Sequence, residues 1–183
     1  FVFPVAIGHN VAIVFRPRAD RIVRLYSCDY RQMSEFCLDE IQTSGDAPWS
    51  NFFRGVAWVL SDCEPPKRGL DAVISGDVPI GAGLSSSAAF EVASAFALLV
   101  AAGTDPTILN SFDSECGLKV RREIALACQK AENLFVGVSC GIMDQMASCI
   151  GRAGHGIYLD CRSLRHEPVR LGFDDADMKI VVY

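Results

Sequence analysis

The sequence lacks the cysteine spacing that zinc ribbons and thioredoxin-like redox sites require. Its eight cysteines are scattered along the chain, and no Cys-x-x-Cys pair occurs. Dispersed cysteines are ordinary in a reducing compartment, where they behave as small apolar residues. The first residues carry no signal-peptide pattern either, so we expect a cytoplasmic protein.

Long hydrophobic runs and basic stretches are also missing. The longest uncharged apolar run covers residues 92–103, which is shorter than the roughly 20 residues of a membrane span. The net charge is −5, and Lys and Arg are mixed with Asp and Glu rather than gathered in a basic stripe. We therefore expect neither a membrane nor nucleic acid as a partner.

The chain has 183 residues, 50% of them hydrophobic, which is enough for one buried core. Partial alternation of apolar and polar residues in the first part predicts a mainly antiparallel sheet. The predicted strands cover residues 1–7, 11–17, 21–27, 34–40, 70–78, 154–161, 167–173 and 178–183. The predicted helices cover residues 50–62 with Ser50 as cap, 88–102, 119–135 and a short segment around Asp144, and a polar connector occupies 103–117. This mixture, without strict alternation, indicates an α+β fold.

A loop rich in glycine and serine precedes the long apolar helix. Residues 78–87 read VPIGAGLSSS, and glycine lets a backbone take positive φ and lie close to a ligand. Ser85 or Ser86 could simply cap the helix. The alternative is a phosphate site, because the free amides and the dipole at a helix N-terminus favour negative charge. A Walker A loop is excluded, since the nearest downstream lysine is Lys119.

A phosphate site without a lysine needs a cation, and Mg²⁺ takes one or two protein oxygens while keeping its waters and the phosphates. Glu132 is a candidate, because it falls in one helical row with apolar Ala125, Cys128 and Phe135. A carboxylate is rarely left on such a row unless it is paired. The alternative is that Glu132 reaches Arg121 or Lys130, or extends to water.

Asp144 is the second carboxylate of interest. It falls in the first turn of the predicted short helix that follows Gly137 and Gly141. The helix dipole alone would explain an aspartate there. The alternative is a base, or an electrostatic anchor, for a substrate hydroxyl that attacks a γ-phosphate.

Three motifs in order resemble the galactokinase family of the GHMP kinase superfamily. They are VPIGAGLSSSAA at 78–89, AENLFVGVSCGIMDQMAS at 131–148 and LDCRSL at 159–164, and the segment PWSNFFRG at 48–55 is similar as well. The resemblance implies a GHMP kinase N-terminal, ATP-binding domain over 1–183, with a fold like domain 2 of ribosomal protein S5. It also implies ATP-dependent phosphorylation of galactose at C1.

The resemblance further implies roles for individual residues. Ser87 and Glu132 would hold Mg²⁺, and Asp144 would face the C1 hydroxyl of the sugar as catalytic residue. The backbone of Gly141 would contact the sugar, and Trp49 would lie near the adenine. The ATP phosphates would be wrapped by Gly81, Ala82, Gly83, Leu84, Ser85, Ser86 and Ser87.

The sequence departs from this family at both ends. The family's Gly-Glu-His-Thr-Asp-type motif, which supplies an arginine and most sugar contacts, would precede Phe1, and its C-terminal domain would follow Tyr183. Gly8, His9 and Asn10 lie downstream of that motif, so we interpret them as structural. Both ends are apolar, which is unusual for domain termini, and we expect an incomplete domain with little activity by itself.

Three alternatives to a galactose kinase stay open at this level. A related GHMP kinase for N-acetylgalactosamine or arabinose would keep the loop and Asp144. A galactokinase-like binding or regulatory protein would keep nucleotide affinity without turnover. A gene remnant would lack the missing motif altogether. The sequence does not predict the oligomeric state.

Overall fold

The computed structural model describes residues 1–63, 68–112 and 114–172. The strands in these ranges are β1 (Val11–Pro17), β2 (Ile22–Ser27), β3 (Gln32–Cys37), β4 (Leu70–Gly76), β5 (His155–Leu159) and β6 (His166–Arg170). The helices are α1 (Asn51–Cys63), α2 (Ser86–Ala102), α3 (Pro106–Leu109), α4 (Glu115–Ala131) and α5 (Met143–Ile150). A 3-10 turn (Pro48–Ser50) precedes α1, and a π-helical turn (Glu132–Val136) continues α4.

The first four strands form one sheet in the order β1-β4-β2-β3. β1 pairs antiparallel with β4 and β2 pairs antiparallel with β3, whereas β2 and β4 are parallel. The mainly antiparallel sheet is thus confirmed. In β2 the side chains alternate, so that Val23 and Leu25 are fully buried while Arg24 and Tyr26 are exposed. One face of the sheet therefore carries the core.

Helices cover that inner face. α2 packs on β1 and contacts α1, α4 and α5, so it lies at the centre of the helical layer. Its sequence is apolar on all sides, as expected of a helix surrounded by protein. Phe53, Val56 and Ala57 of α1 are fully buried, which confirms their helical spacing. No helix in the described ranges is long and apolar enough to cross a bilayer.

The first residues do not form the regular strand that was predicted. Val2 makes two backbone hydrogen bonds with Leu159, and the carbonyl of Pro4 accepts one from Ile157. The segment therefore lies along β5 but pairs only at the isolated bridges of Val2 and Val5. Pro4 has no N–H to donate, which explains the interrupted ladder.

Two helix starts also differ from prediction. Ser50 does not cap α1, because its hydroxyl bonds the Ala47 carbonyl and accepts from Ser34 and the Arg54 guanidinium. α4 begins at Glu115 instead of residue 119, since the Ser114 hydroxyl accepts from the Gly117 amide. The polar connector also contains the short helix α3. The predicted terminal strand 178–183 lies outside the described residues.

Gly117 lies in the first turn of α4, where a side chain has no room. A Cβ on Gly117 would overlap the carbonyl oxygen of Ser111. We therefore expect Gly117→Ala to lower the free energy of unfolding by about 1–3 kcal/mol or more, the cost of overpacking. Thermal melting measures the change. Gly45→Ala is the matched control, because a Cβ there would have no neighbour within 4 Å, and an equal shift in both variants would contradict the steric account.

Candidate active site

The loop between β4 and α2 turns through three residues with positive φ. Gly81 has φ 75°, Gly83 has φ 71° and Ser85, which is not glycine, has φ 59°. The left-handed conformation is costly for serine and is common at functional loops. A Cβ at Gly81 or Gly83 would meet no atom within 4 Å, so the loop is open on that side. Another molecule can approach this backbone closely.

The N-terminus of α2 has no side-chain cap. Ser85 is the N-cap residue, but its hydroxyl makes no capping hydrogen bond to the first turn. The first helical bond runs from the Ala89 amide to the Ser85 carbonyl. The amides of the preceding turn therefore have no intrahelical acceptor. Capping by Ser85 or Ser86, the simpler of the two sequence interpretations, is wrong.

A cavity of about 210 Å³ opens between the sheet and the start of α2. Trp49 lines it, and its indole N–H donates to the Gln32 side chain over 2.9 Å. Tyr30 stacks on this indole with ring centroids 6.0 Å apart, and Phe90 lies 6.3 Å from it. Ser86 and Ser87 line the same cavity. The site thus joins an aromatic slot to the uncapped helix end.

A second groove, of about 460 Å³, lies on the other side of the loop. Asp144, in the first turn of α5, lines this groove together with Gly83, Leu84 and Ser85. The carboxylate of Asp144 is half-buried and makes no hydrogen bond or ion pair with the described part of the chain. It is therefore available to a ligand in the groove.

His9 and Asn10 reach the same groove just before β1. Asp77 accepts a 2.6 Å hydrogen bond from the Asn10 amide and lies 3.3 Å from the His9 ring. The Asn10 hydrogen bond is the largest cause that lowers the pKa of Asp77 below its usual value. These contacts tie the start of the glycine-serine loop to β1, which agrees with the structural interpretation of both residues.

Glu132 is buried between helices, as its apolar row predicted. Its Oε2 accepts hydrogen bonds from Gln145 Nε2 at 2.8 Å and from the Cys140 thiol at 3.1 Å. The same Gln145 nitrogen lies 3.3 Å from Oε2 of Glu91, a fully buried residue of α2. Glu132 is thus paired with neutral donors, instead of with Arg121 as one sequence interpretation had it.

Burial shifts the ionisation of this cluster. It raises the pKa of Glu91 to about 9, and the negative charge of Glu132 acts in the same direction. It also raises the pKa of the Cys140 thiol to about 12, with the hydrogen bond to Glu132 as the next cause. Near neutral pH, Glu91 therefore carries a proton, and Cys140 stays a thiol that donates to Glu132.

The loop from 137 to 142, between the π-helical turn and α5, is held by amide side chains. The Cys140 amide donates to Asn133 over 2.8 Å, and the Cys140 carbonyl accepts from Gln129 and Asn133. Gly141 follows with an exposed backbone that would leave a Cβ without neighbours. The loop thus presents Gly141 beside the start of α5.

The predicted residues fall into three places. Ser86, Ser87 and Trp49 line the aromatic cavity, and Gly83, Leu84, Ser85 and Asp144 line the groove. Glu132 lies in the buried cluster, while Gly81, Ala82 and Gly141 are exposed. The described residues contain no group of three or more His, Cys, Asp or Glu side chains arranged so that they could hold a metal ion. A hydroxyl and a single carboxylate nevertheless suit Mg²⁺, which prefers oxygen and keeps several waters.

Sequence reasoning missed Glu91, Gln145 and Tyr30. Glu91 had a visible signal, since it is the only charge within the apolar helix 88–102. Gln145 and Tyr30 had none, because a polar residue after Asp144 and an aromatic in a turn are ordinary. Their positions depend on how the helices and strands pack.

The comparison with known families is decisive for the fold. The sequence pattern of the GHMP kinases N terminal domain matches residues 51–152, more than half of the chain. The chain belongs to the GHMP kinase family. Its α+β architecture is that of the N-terminal domain of these kinases. The matched range includes α1, the glycine-serine loop, the buried cluster and Asp144.

Named relatives of this GHMP kinase domain are galactokinases. The galactokinase of Chloroflexus aggregans is 43% identical over 92% of the chain, and that of Chloroflexus aurantiacus is 41% identical over the whole chain. A crystal structure of Lactococcus lactis galactokinase complexed with galactose matches with 32% identity and a TM-score of 0.76 over 92% of the chain. The chain covers 40%, 43% and 41% of these three proteins, about two fifths of their length.

The raised pKa of Glu91 predicts a specific dependence of stability on pH. The folded state keeps the proton up to about pH 9, whereas the unfolded chain loses it near 4.5. Between these values the folded state binds more protons, so the contribution of Glu91 to stability falls as pH rises. Glu91→Gln has no such proton and should gain in melting temperature relative to wild type from pH 5.5 to 8.5.

Melting curves of the full-length protein across this pH range measure the difference. Glu123→Gln is the matched control, because Glu123 is exposed on α4 and its ion pair with Lys119, at 3.9 Å, is a surface contact that contributes little to stability. A constant difference between wild type and Glu91→Gln at all pH values would show that Glu91 is ionised in the fold.

Proposed function

We propose that the full-length protein is a galactokinase that transfers the γ-phosphoryl group of ATP to the C1 hydroxyl of galactose. One observation carries the proposal. The uncapped N-terminus of α2 lies between an aromatic cavity and a groove that holds a carboxylate without partners among the described residues. A nucleotide bound across this helix end would have its base on one side and its terminal phosphate on the other.

The nucleotide contacts follow from the chemistry of each wall. The adenine occupies the aromatic cavity beside Trp49 and Tyr30, where ring faces and apolar side chains exclude water. The phosphates bind the backbone of the loop Gly81, Ala82, Gly83, Leu84, Ser85, Ser86 and Ser87. Free amides and the positive end of the α2 dipole favour the anion there.

Ser87 and Glu132 hold Mg²⁺ in this proposal. Both hydrogen bonds to Glu132 end on Oε2, which supports a role for Oε1 in metal binding. A Mg²⁺ ion bound by these two side chains would supply positive charge for the phosphates. The hydrogen bonds from Gln145 and Cys140 orient the carboxylate without cancelling its charge, as donors behind a metal ligand do.

Asp144 acts on the sugar. Its carboxylate faces the groove beside Ser85, within reach of a hydroxyl that attacks the γ-phosphorus. The new bond joins the C1 oxygen to phosphorus, the bond to the β–γ bridging oxygen breaks, and ADP leaves. Asp144 orients the hydroxyl or accepts its proton. Gly141 contacts the sugar through its exposed backbone.

The choice of galactose is supported by the relatives. Those named above are called galactokinases, and the Lactococcus lactis structure contains galactose. The chain covers about two fifths of them, so the remaining sugar contacts and an arginine for the phosphoryl charge belong outside this segment in our proposal. We also propose a cytoplasmic location, because the seven cysteines whose side chains the structure describes are all free thiols.

Substitution of Asp144 tests the proposed reaction. In the full-length protein, Asp144→Asn should lower kcat for galactose-dependent ADP release by about 10² or more, the range for loss of a general base. The substitution keeps size and packing while removing the charge. Glu123→Gln, which neutralises an exposed carboxylate on α4, is the control and should keep its activity. A folded Asp144→Asn protein with near-normal kcat would assign this aspartate to the helix dipole alone.

Substitution of the metal ligands tests the nucleotide half of the site. Ser87→Ala and Glu132→Gln each remove a proposed Mg²⁺ contact, so they should weaken binding of Mg²⁺-ATP by about tenfold or more. Affinity for galactose should change much less. Isothermal titration with each ligand separately makes the comparison. Equal losses for sugar and nucleotide would mean that both residues support the fold instead of the metal.

A further inference from the structure

Glu91 and Gln145 are buried polar residues without a role in the reaction described above. Both are fully buried, Glu91 in α2 and Gln145 in α5. A charged or amide side chain in such a place costs free energy unless it is well paired. Gln145 donates to Glu91 and also to Glu132, which lies at the junction of α4 and the π-helical turn. Short π-helical turns occur frequently at functional sites.

The hydrogen bonds of Gln145 explain how the three residues are connected. Its Nε2 group has two hydrogens to donate, and its acceptors are Glu132 at 2.8 Å, Glu91 at 3.3 Å and the Cys140 sulfur at 3.6 Å, so the two carboxylates are the nearest. The Glu91 contact therefore fixes the rotation of the carboxamide. Without it, the amide could turn and present its oxygen to Glu132, which would repel the carboxylate.

The rest of the cluster is not optimised for stability. Glu91 Oε1 and Gln145 Oε1 are buried and have no hydrogen-bond partner. An apolar replacement of both residues would avoid this cost, since a partly satisfied polar network is worse than an apolar core. A proton on Glu91, favoured by its raised pKa, reduces the charge but does not satisfy both oxygens. The arrangement is better explained by its effect on Glu132, whose carboxylate is oriented by the hydrogen bond from Gln145.

We propose that Glu91 is a positioning residue for the metal carboxylate, because it orients Gln145 and Gln145 in turn fixes Glu132. This inference rests on the proposed function, in which Glu132 binds Mg²⁺. It also links the helix of the phosphate loop to the helix of Asp144, because Glu91 lies in α2 and Gln145 directly follows Asp144. Glu91 itself touches neither metal nor nucleotide in this proposal.

The test uses the gain in ATP affinity that Mg²⁺ produces, measured by titration of the full-length protein with and without Mg²⁺. Glu91→Leu removes the acceptor but keeps most of the side-chain volume. We expect it to reduce this gain by about tenfold or more, because loss of a residue that supports a metal ligand typically costs that much affinity. Glu91→Gln keeps a neutral side chain with an acceptor oxygen and should restore most of the gain. Galactose affinity should stay the same in both.

A second arm separates positioning from general packing. In a Glu132→Gln background, Glu91→Leu should cause no further loss of the Mg²⁺-dependent gain, because it acts through Glu132. Ser94→Ala is the matched control on the same helix: Ser94 is fully buried, and its hydroxyl bonds the Phe90 carbonyl. It should lower the melting temperature without changing the gain.

The outcomes are distinct. Additive losses in the double variant, or an unchanged gain in Glu91→Leu, would overturn the positioning role while the kinase function stands. A wild-type protein whose ATP affinity does not depend on Mg²⁺ would overturn the proposed metal site first. If Glu91→Leu does not fold, Gln145→Met is tested in the same way. It removes the hydrogen bonds from Gln145 to Glu91 and Glu132 and keeps the length of the side chain.

Discussion

The amide nitrogen of Gln145 connects three elements of the helical layer through two buried hydrogen bonds. Two carboxylates, Glu91 and Glu132, are buried within reach of this one donor group. Buried carboxylates must be paired or protonated. Because the three side chains come from α2, α5 and the end of α4, the relative placement of these elements is tied to a single hydrogen-bonding arrangement. The thiol of Cys140 extends it to the loop before Gly141.

The same packing leaves the N-terminus of α2 free to bind a ligand. The helix body is enclosed by the sheet and three helices, so its direction is fixed by apolar contacts. Its first turn needs no cap for that reason, and its amides remain available on a surface between two cavities. Rigid burial at one end and open donors at the other are what the proposed phosphate site requires of this helix.

Sequence reasoning succeeded where a pattern had a single physical meaning. The α+β class, the main helices, the burial of Glu132 and the first-turn position of Asp144 could all be predicted, because periodicity and turn chemistry are local. It failed for Ser50, and it left two interpretations open for the serines before α2. In each case a hydroxyl has several possible partners, and the choice depends on strands and helices that are distant in sequence.

The sequence by itself determined the family, the glycine-serine loop and the places of Glu132 and Asp144 in their helices, since these are properties of residue type and spacing. The tertiary structure alone decided what those residues face. Asp144 shares a groove with Ser85, Trp49 stacks on Tyr30, and Glu132 meets Glu91 through Gln145. These pairs are separated by up to 59 positions along the chain, as Asp144 and Ser85 are. Only the burial of apolar surface by the packed sheet and helices brings them together, and no local pattern records that packing.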